Sequence, residues 1–184
     1  EGLQHEDGHS HILASTIPNC RSYDPTYGYE LAVIIREGAR RMMEEQENVY
    51  YYLTVMNEAY EQPAMPKGKD VQDGIMRGMY LLDSTGKPGD LHVQLMGSGT
   101  ILREVREEAA ILNDDFGVTA DIWSVTSFNE LRRDGLATER QNRLHPTRKK
   151  QLTFVEQCLE KRSGPVIAST DYMKLFADQI REWV

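Results

Sequence analysis

Cysteine is scarce in this chain: two in 184 residues, Cys20 and Cys158, far apart and forming no CxxC pair. That spacing points to two reduced thiols in a cytosolic-type, cytoplasmic compartment rather than to a disulfide framework. Neither has an adjacent base or cationic cluster in sequence, so neither reads as an activated nucleophile. Positive charge is also short. Twenty-one Lys and Arg face 29 Asp and Glu, for a formal net charge of −8, whereas a nucleic-acid binder needs a basic face to displace counterions from phosphates. No apolar run approaches the roughly 18–20 residues of a membrane helix. There is no internal repeat and no low-complexity segment. Glu1 is not a start methionine, no targeting or lipidation motif is recognisable, and Arg181-Glu-Trp-Val184 closes an amphipathic run. The expectation is a piece of something longer.

Helical and strand-like segments alternate through what is present. Asp24-Pro25 reads as a helix N-cap followed by a first-turn proline, with Tyr27, Leu31, Ile34, Ile35 and Met42 at helical spacing as far as about Glu45. Asn48 to Met56 is β-branched, aromatic and nearly all apolar, as expected of a strand buried on both faces. Residues 57–74 carry prolines, glycines and charge without periodicity and form the best linker. Beyond them, Ile75–Leu82 reads as a strand or hairpin arm, Leu91–Met96 as a strand and Thr100–Asp115 as a helix. Ala120–Val125 is a strand, Leu131–Arg143 a helix, Leu152–Leu159 a short helix, Pro165–Ser169 a strand and Asp171–Ile180 a closing helix capped by Asp171. The alternation predicts an α/β fold with open, mostly parallel sheets.

The densest chemistry is at the start: Glu1-Gly-Leu-Gln-His5-Glu-Asp-Gly-His9-Ser-His11 holds three of the five histidines. His5, His9 and His11 admit a metal site, a surface loop or an organic active site; Gly8 favours a turn, and Glu6 and Asp7 would broaden rather than select metal identity. Gly97-Ser-Gly99 between strand and helix is a trap. A dinucleotide fingerprint would need glycine where Leu102 stands and an acid at the end of the next strand, so a plain turn is the reading. His92 and His145 read as structural or solvated, and Tyr50–Tyr52 as sheet core with polar tips.

The first eleven residues closely resemble a loop of the bacterial homodimeric pyruvate dehydrogenases, thiamine diphosphate enzymes of the transketolase type. The likeness continues in order through Ser22-Tyr-Asp-Pro25, Glu47-Asn-Val-Tyr-Tyr-Tyr52, Gln62-Pro-Ala-Met-Pro66, Gly97-Ser-Gly-Thr-Ile-Leu-Arg103, Ser124-Val-Thr-Ser-Phe128 and Ala168–Ala177, and is weakest at 141–163. The resemblance implies that residues 1–64 end a pyrimidine-binding domain and that 65–184 are a transketolase C-terminal-like domain lacking its last segment. It implies a substrate-facing histidine at His5, oriented by Glu1, that donates a hydrogen bond or proton to the oxyanion developing on the substrate carbonyl. No catalytic role transfers to His9 or His11.

The resemblance further implies thiamine diphosphate and Mg2+ as cofactors of the full-length protein, their diphosphate and metal ligands lying outside this chain. It implies pyruvate as substrate, the lipoyl domain of a dihydrolipoamide acetyltransferase as partner, a homodimer, and no catalysis by residues 1–184 alone. Nucleic acid and membrane are not expected partners. Two alternatives stay open: a related thiamine enzyme acting on another 2-oxo acid or a ketose, and a non-enzymatic histidine-rich metal-binding or interaction module.

Overall fold

A computed structural model describes residues 6–68, 70–87 and 91–184. The first sheet is a parallel pair, β1 (Cys20–Tyr23) and β2 (Tyr50–Leu53), with Cys20 opposite Tyr50 and Tyr23 opposite Leu53. A short helix α1 (Ser10–Ser15) leads into β1. The crossover to β2 is α2 (Gly28–Ala39), continued by a wider π turn at Arg40–Glu44. Asp24 does not cap α2, contrary to the sequence reading. The helix starts later, and Glu30 in its first turn folds back to accept the backbone N–H groups of Thr26 (2.6 Å) and Tyr27 (2.9 Å), satisfying donors that have no partner inside the helix.

The second sheet has four strands in the order β3 (Tyr80–Ser84), β5 (Thr119–Ser124), β4 (His92–Gly97), β6 (Val166–Ser169). β3 runs antiparallel to β5; the β5–β4 and β4–β6 pairs are parallel. Helix α4 (Ile101–Phe116) connects β4 to β5. Helices α5 (Phe128–Leu144) and α6 (Phe154–Leu159) lie between β5 and β6, and α7 (Leu175–Asp178) with a 3-10 turn at Arg181–Trp183 ends the chain. The expected strand at Ile75–Leu82 is corrected: Ile75–Arg77 close helix α3 (Asp70–Arg77), and the strand starts only at Tyr80. The unstructured connection is correspondingly shorter than 57–74.

Both faces of the second sheet are covered, and β4 is buried at all six positions. One face packs Met79, Met96, Trp123, Phe128, Leu131, Phe176, Ile180 and Trp183; the other packs Val93, Leu95, Ala120 and Ile122 against Leu102, Val105 and Ala109 of α4. Inside it lies a satisfied polar knot. Asp121 accepts from His92 Nε2 (3.2 Å), Gln94 Nε2 (3.1 Å) and Arg162 (3.0 Å), while the Trp123 indole N–H donates to Gln94 Oε1 (2.8 Å). Burial pulls the Asp121 carboxyl upward, but its donors and the Arg162 charge outweigh that and leave it below the usual range. His92 is thus structural.

The closing segment also departs from expectation. Asp171–Ile180 is not one capped helix; only Leu175–Asp178 is helical, with Lys174 at the N-cap. Phe176, Ile180 and Trp183 nonetheless enter the core, four and three residues apart. Met173 instead gives its N–H to Gly8 O (2.9 Å). Strand β2 is corrected as well. It is half exposed rather than buried on both faces, because a run of three tyrosines hides a simple alternation. Tyr51 stacks on Tyr23 (centroids 6.0 Å apart), whereas Tyr50 and Tyr52 take the exposed face.

Candidate functional site

The residues that follow β1, β2, β4 and β6 converge at one place, outside the carboxyl ends of strands from both sheets, where α/β proteins commonly hold ligands. A cavity of about 660 Å3 lies there, lined by Glu6, Asp7, Gly8, Asp24, Thr54–Asn57, Thr100, Asp171 and Tyr172. Four of these are carboxylates and none is Lys or Arg.

Asp24 is the buried member of that set. Its backbone joins the two sheets: the N–H donates to Thr126 O (2.8 Å), and its carbonyl accepts from Gly99 N (3.1 Å). Gly99 has φ +50°, and a Cβ there would collide with the Asp24 carboxylate, so both the backbone conformation and the space require glycine. Burial pushes the Asp24 carboxyl up to about 6, partly opposed by the hydrogen bond from Thr54.

Thr54 Oγ1 donates to Asp24 Oδ1 at 2.6 Å and lies 3.0 Å from His11 Nε2. The hydroxyl has one proton, so giving it to an ionised Asp24 obliges it to accept from His11 Nε2–H; protonating Asp24 lets the chain run the other way. The His11 ring is fully buried, stacked on Phe176 (4.8 Å) and edge-on to Tyr172 (4.7 Å) and Tyr52 (5.4 Å). Burial lowers His11 to about 4 against the pull of Asp7, which makes it a neutral ring at ordinary pH. Its Nδ1 has no hydrogen-bond partner among the described residues.

Helix α1 is held at its start by Asp7, which accepts the backbone N–H groups of His9 (3.1 Å) and Ser10 (3.0 Å) and the Ser10 hydroxyl. Burial tends to raise the Asp7 carboxyl, but these donors leave it below the usual value. The stretch read from sequence as a loop therefore becomes helical at Ser10.

Glu1 and His5, the expected catalytic pair, lie outside the described residues; the described chain enters the cavity wall immediately after them, at Glu6. His9 is exposed while His11 is enclosed by aromatic rings, and no group of three or more His, Cys, Asp or Glu able to hold a metal occurs among the described residues. Cys158 is a half-buried free thiol that burial pushes up to about 11, and Cys20 is buried. A diphosphate does not fit the described cavity, whose carboxylates would repel it and which offers no cationic side chain. Asp24, Thr54 and Asp171 were not legible as site residues, because only the fold brings positions so far apart in sequence to one cavity.

Comparison with known proteins gives this geometry its relatives. Residues 1–63 match the family model for the pyruvate dehydrogenase E1 component middle domain, and residues 78–183 match the transketolase-like TK C-terminal domain. The whole chain is 70% identical over 184 residues to a pyruvate dehydrogenase E1 component of Pseudomonas aeruginosa and 56% identical over 186 residues to one of Escherichia coli K12. It spans 21% and 20% of the lengths of those two relatives. A solved transketolase variant from Pichia stipitis superposes on 99% of this chain and 28% of its own, with TM-score 0.53 and 13% identity, a likeness of fold. No helix among the described residues is long and apolar enough to cross a membrane. With more than half of its length matched by that one model, this chain belongs to the family of transketolase-like TK C-terminal domains, preceded here by a segment of pyruvate dehydrogenase E1 middle-domain type.

Proposed function

We propose that this chain is part of a pyruvate dehydrogenase E1 component that decarboxylates pyruvate oxidatively and passes the acetyl group to the lipoyl group of a dihydrolipoamide acetyltransferase. The observation carrying this reading is the 70% identity to a protein of that name along the entire chain, histidine segment included. Residues 1–64 would close the pyrimidine-binding domain and 65–184 form the C-terminal-like domain. Thiamine diphosphate and Mg2+ would be held by residues outside this chain, in a cytoplasmic homodimer, and residues 1–184 alone would be inactive.

Within that reading His5 donates a hydrogen bond, and at the right moment a proton, to the carbonyl oxygen of the 2-oxo acid as negative charge grows there. Glu1 orients the imidazole. The alignment with the Pseudomonas aeruginosa relative covers this segment from Glu1 onward, which supports the assignment. The experiment is a substrate comparison on the full-length protein. Pyruvate is expected to be turned over, with acetyl transfer to a lipoyl domain, and a ketose donor is not. Turnover of the ketose in preference to pyruvate would overturn the proposal in favour of a transketolase-type activity.

A further inference from the structure

We infer that Asn129, in the C-terminal-like region, is a positioning residue for the histidine segment, acting on the backbone of His11 and not on substrate. The inference rests on the reading in which His5 faces the reacting carbonyl. Helix α1 is six residues long, too short to hold itself in water, so its placement must come from what packs against it.

That packing comes largely from the far end of the sequence. Asn129 Nδ2 donates to His11 O at 2.8 Å and also to the Ser22 hydroxyl, tying α1 and β1 together. Its Oδ1 accepts from Gln179 Nε2 at 2.8 Å, and Gln179 Nε2 also donates to Phe176 O (3.0 Å). Phe176 is the ring stacked on His11. One buried line therefore runs from α7 through Gln179 and Asn129 to the His11 carbonyl.

Neighbouring bonds fix the same joint. Ser127 Oγ accepts from Glu130 N (3.0 Å), capping α5, and donates to Ser22 O (2.6 Å). Arg21 pairs with Glu130 at 2.8 Å. Met173 N–H holds Gly8 O. Asn129 alone among these groups reaches α1, β1 and Gln179 at once, and both polar atoms of its side chain are used. An aspartate of the same shape would set a carboxylate oxygen against the His11 carbonyl and lose the donor. Because a shift of about 1 Å in a catalytic group can cost roughly 100-fold in rate, loosening this joint should be read at His5.

The test uses the full-length enzyme with Asn129→Asp, Asn129→Ala and, as a control of buried-core loss on the opposite sheet face, Val105→Ala. Both Asn129 variants are expected to lose about 10- to 100-fold in kcat for pyruvate with KM within about threefold. Amide exchange at His9–Leu13 should quicken at least about tenfold. Val105→Ala should leave both readouts unmoved. If Asn129→Asp keeps kcat within about twofold, or loses no more than Val105→Ala, the inference is overturned.

A double-mutant cycle separates this inference from the reading it rests on. If His5→Ala by itself leaves kcat unchanged, the assignment of His5 is wrong, and the exchange readout alone then decides whether Asn129 holds the segment. If His5→Ala is damaging, adding Asn129→Ala should cost little more, because both act through one group; fully additive losses would contradict the inference. Gln179→Ala, which removes only the outer partner, should give a smaller loss in the same direction.

Discussion

Strands β2 and β4 are both central to their segments in sequence, yet they live in different surroundings. Every residue of β4 is buried, with a strand on each side and helices on both faces. β2 has one partner among the described residues and alternates exposed with half-buried positions. The second sheet carries its own core. The first is secured mainly where it meets the second, through Asp24, Glu30, His11 and the start of α5. Glu30 makes the dependence plain: fully buried, it accepts from Ser124 Oγ and Tyr80 OH, both at 2.6 Å, as well as from its own helix start. Burial raises that carboxyl against four donors, and their geometry still lets it bind the two sheets as one body.

The contrast predicts unequal costs for losing an aromatic ring. Phe128→Ala, at a position with no exposure in the second core, should destabilise by about 3–5 kcal/mol. Tyr50→Ala, on the open face of β2 and outside the His11 cluster, should cost far less, within the scatter of surface substitutions. Denaturant unfolding of both variants checks this, and similar costs would abolish the distinction.

The junction between the sheets should show itself in pH dependence. Asp24 is raised to about 6 in the fold, so between about pH 4 and 6 the unfolded chain ionises first and stability falls as pH rises. His11 is lowered to about 4, so between about pH 6.5 and 4 the unfolded chain takes up a proton first and stability falls as pH drops. The two slopes oppose one another in the same window. Asp24→Asn should therefore expose the histidine slope and add up to about 3 kcal/mol at pH 7, an effect absent below pH 4. His11→Phe should leave the opposite slope. Identical pH profiles for the two variants would contradict the account.

A smaller effect is expected of Gly99→Ala, which strains a left-handed residue and presses on Asp24: about 1–3 kcal/mol by thermal melting. The smallest belongs to the exposed ion pairs of the first region. Arg40→Ala, which loses Glu37 and Glu45, should leave the unfolding midpoint unchanged, because water and salt screen exposed pairs.

Much of the second sheet was legible from sequence because its signals are local. The stripe Ile101, Leu102, Val105, Ala109, Leu112 specifies α4, and Gly117 ends it with a left-handed residue (φ +65°). β1 was missed because Cys-Arg-Ser-Tyr is short and half polar, and its pairing is decided by a strand 30 residues away. α1 was missed because its cap, Asp7, sits among groups that suggest a loop. Asp24 illustrates the general difficulty at the site. Next to a proline it has every local mark of a helix cap, and only the fold brings it to Thr54, Gly99 and the cavity. Asn129 gives no local sign of its role at all, since its partners lie 118, 107 and 50 positions away in sequence.

The most direct test of the central claim, that the histidine segment serves the reacting carbonyl, is the steady-state turnover of pyruvate by full-length His5→Gln. The account predicts a fall in kcat of at least about 100-fold with KM changed by less than about threefold. A kcat within about twofold of the parent would contradict it.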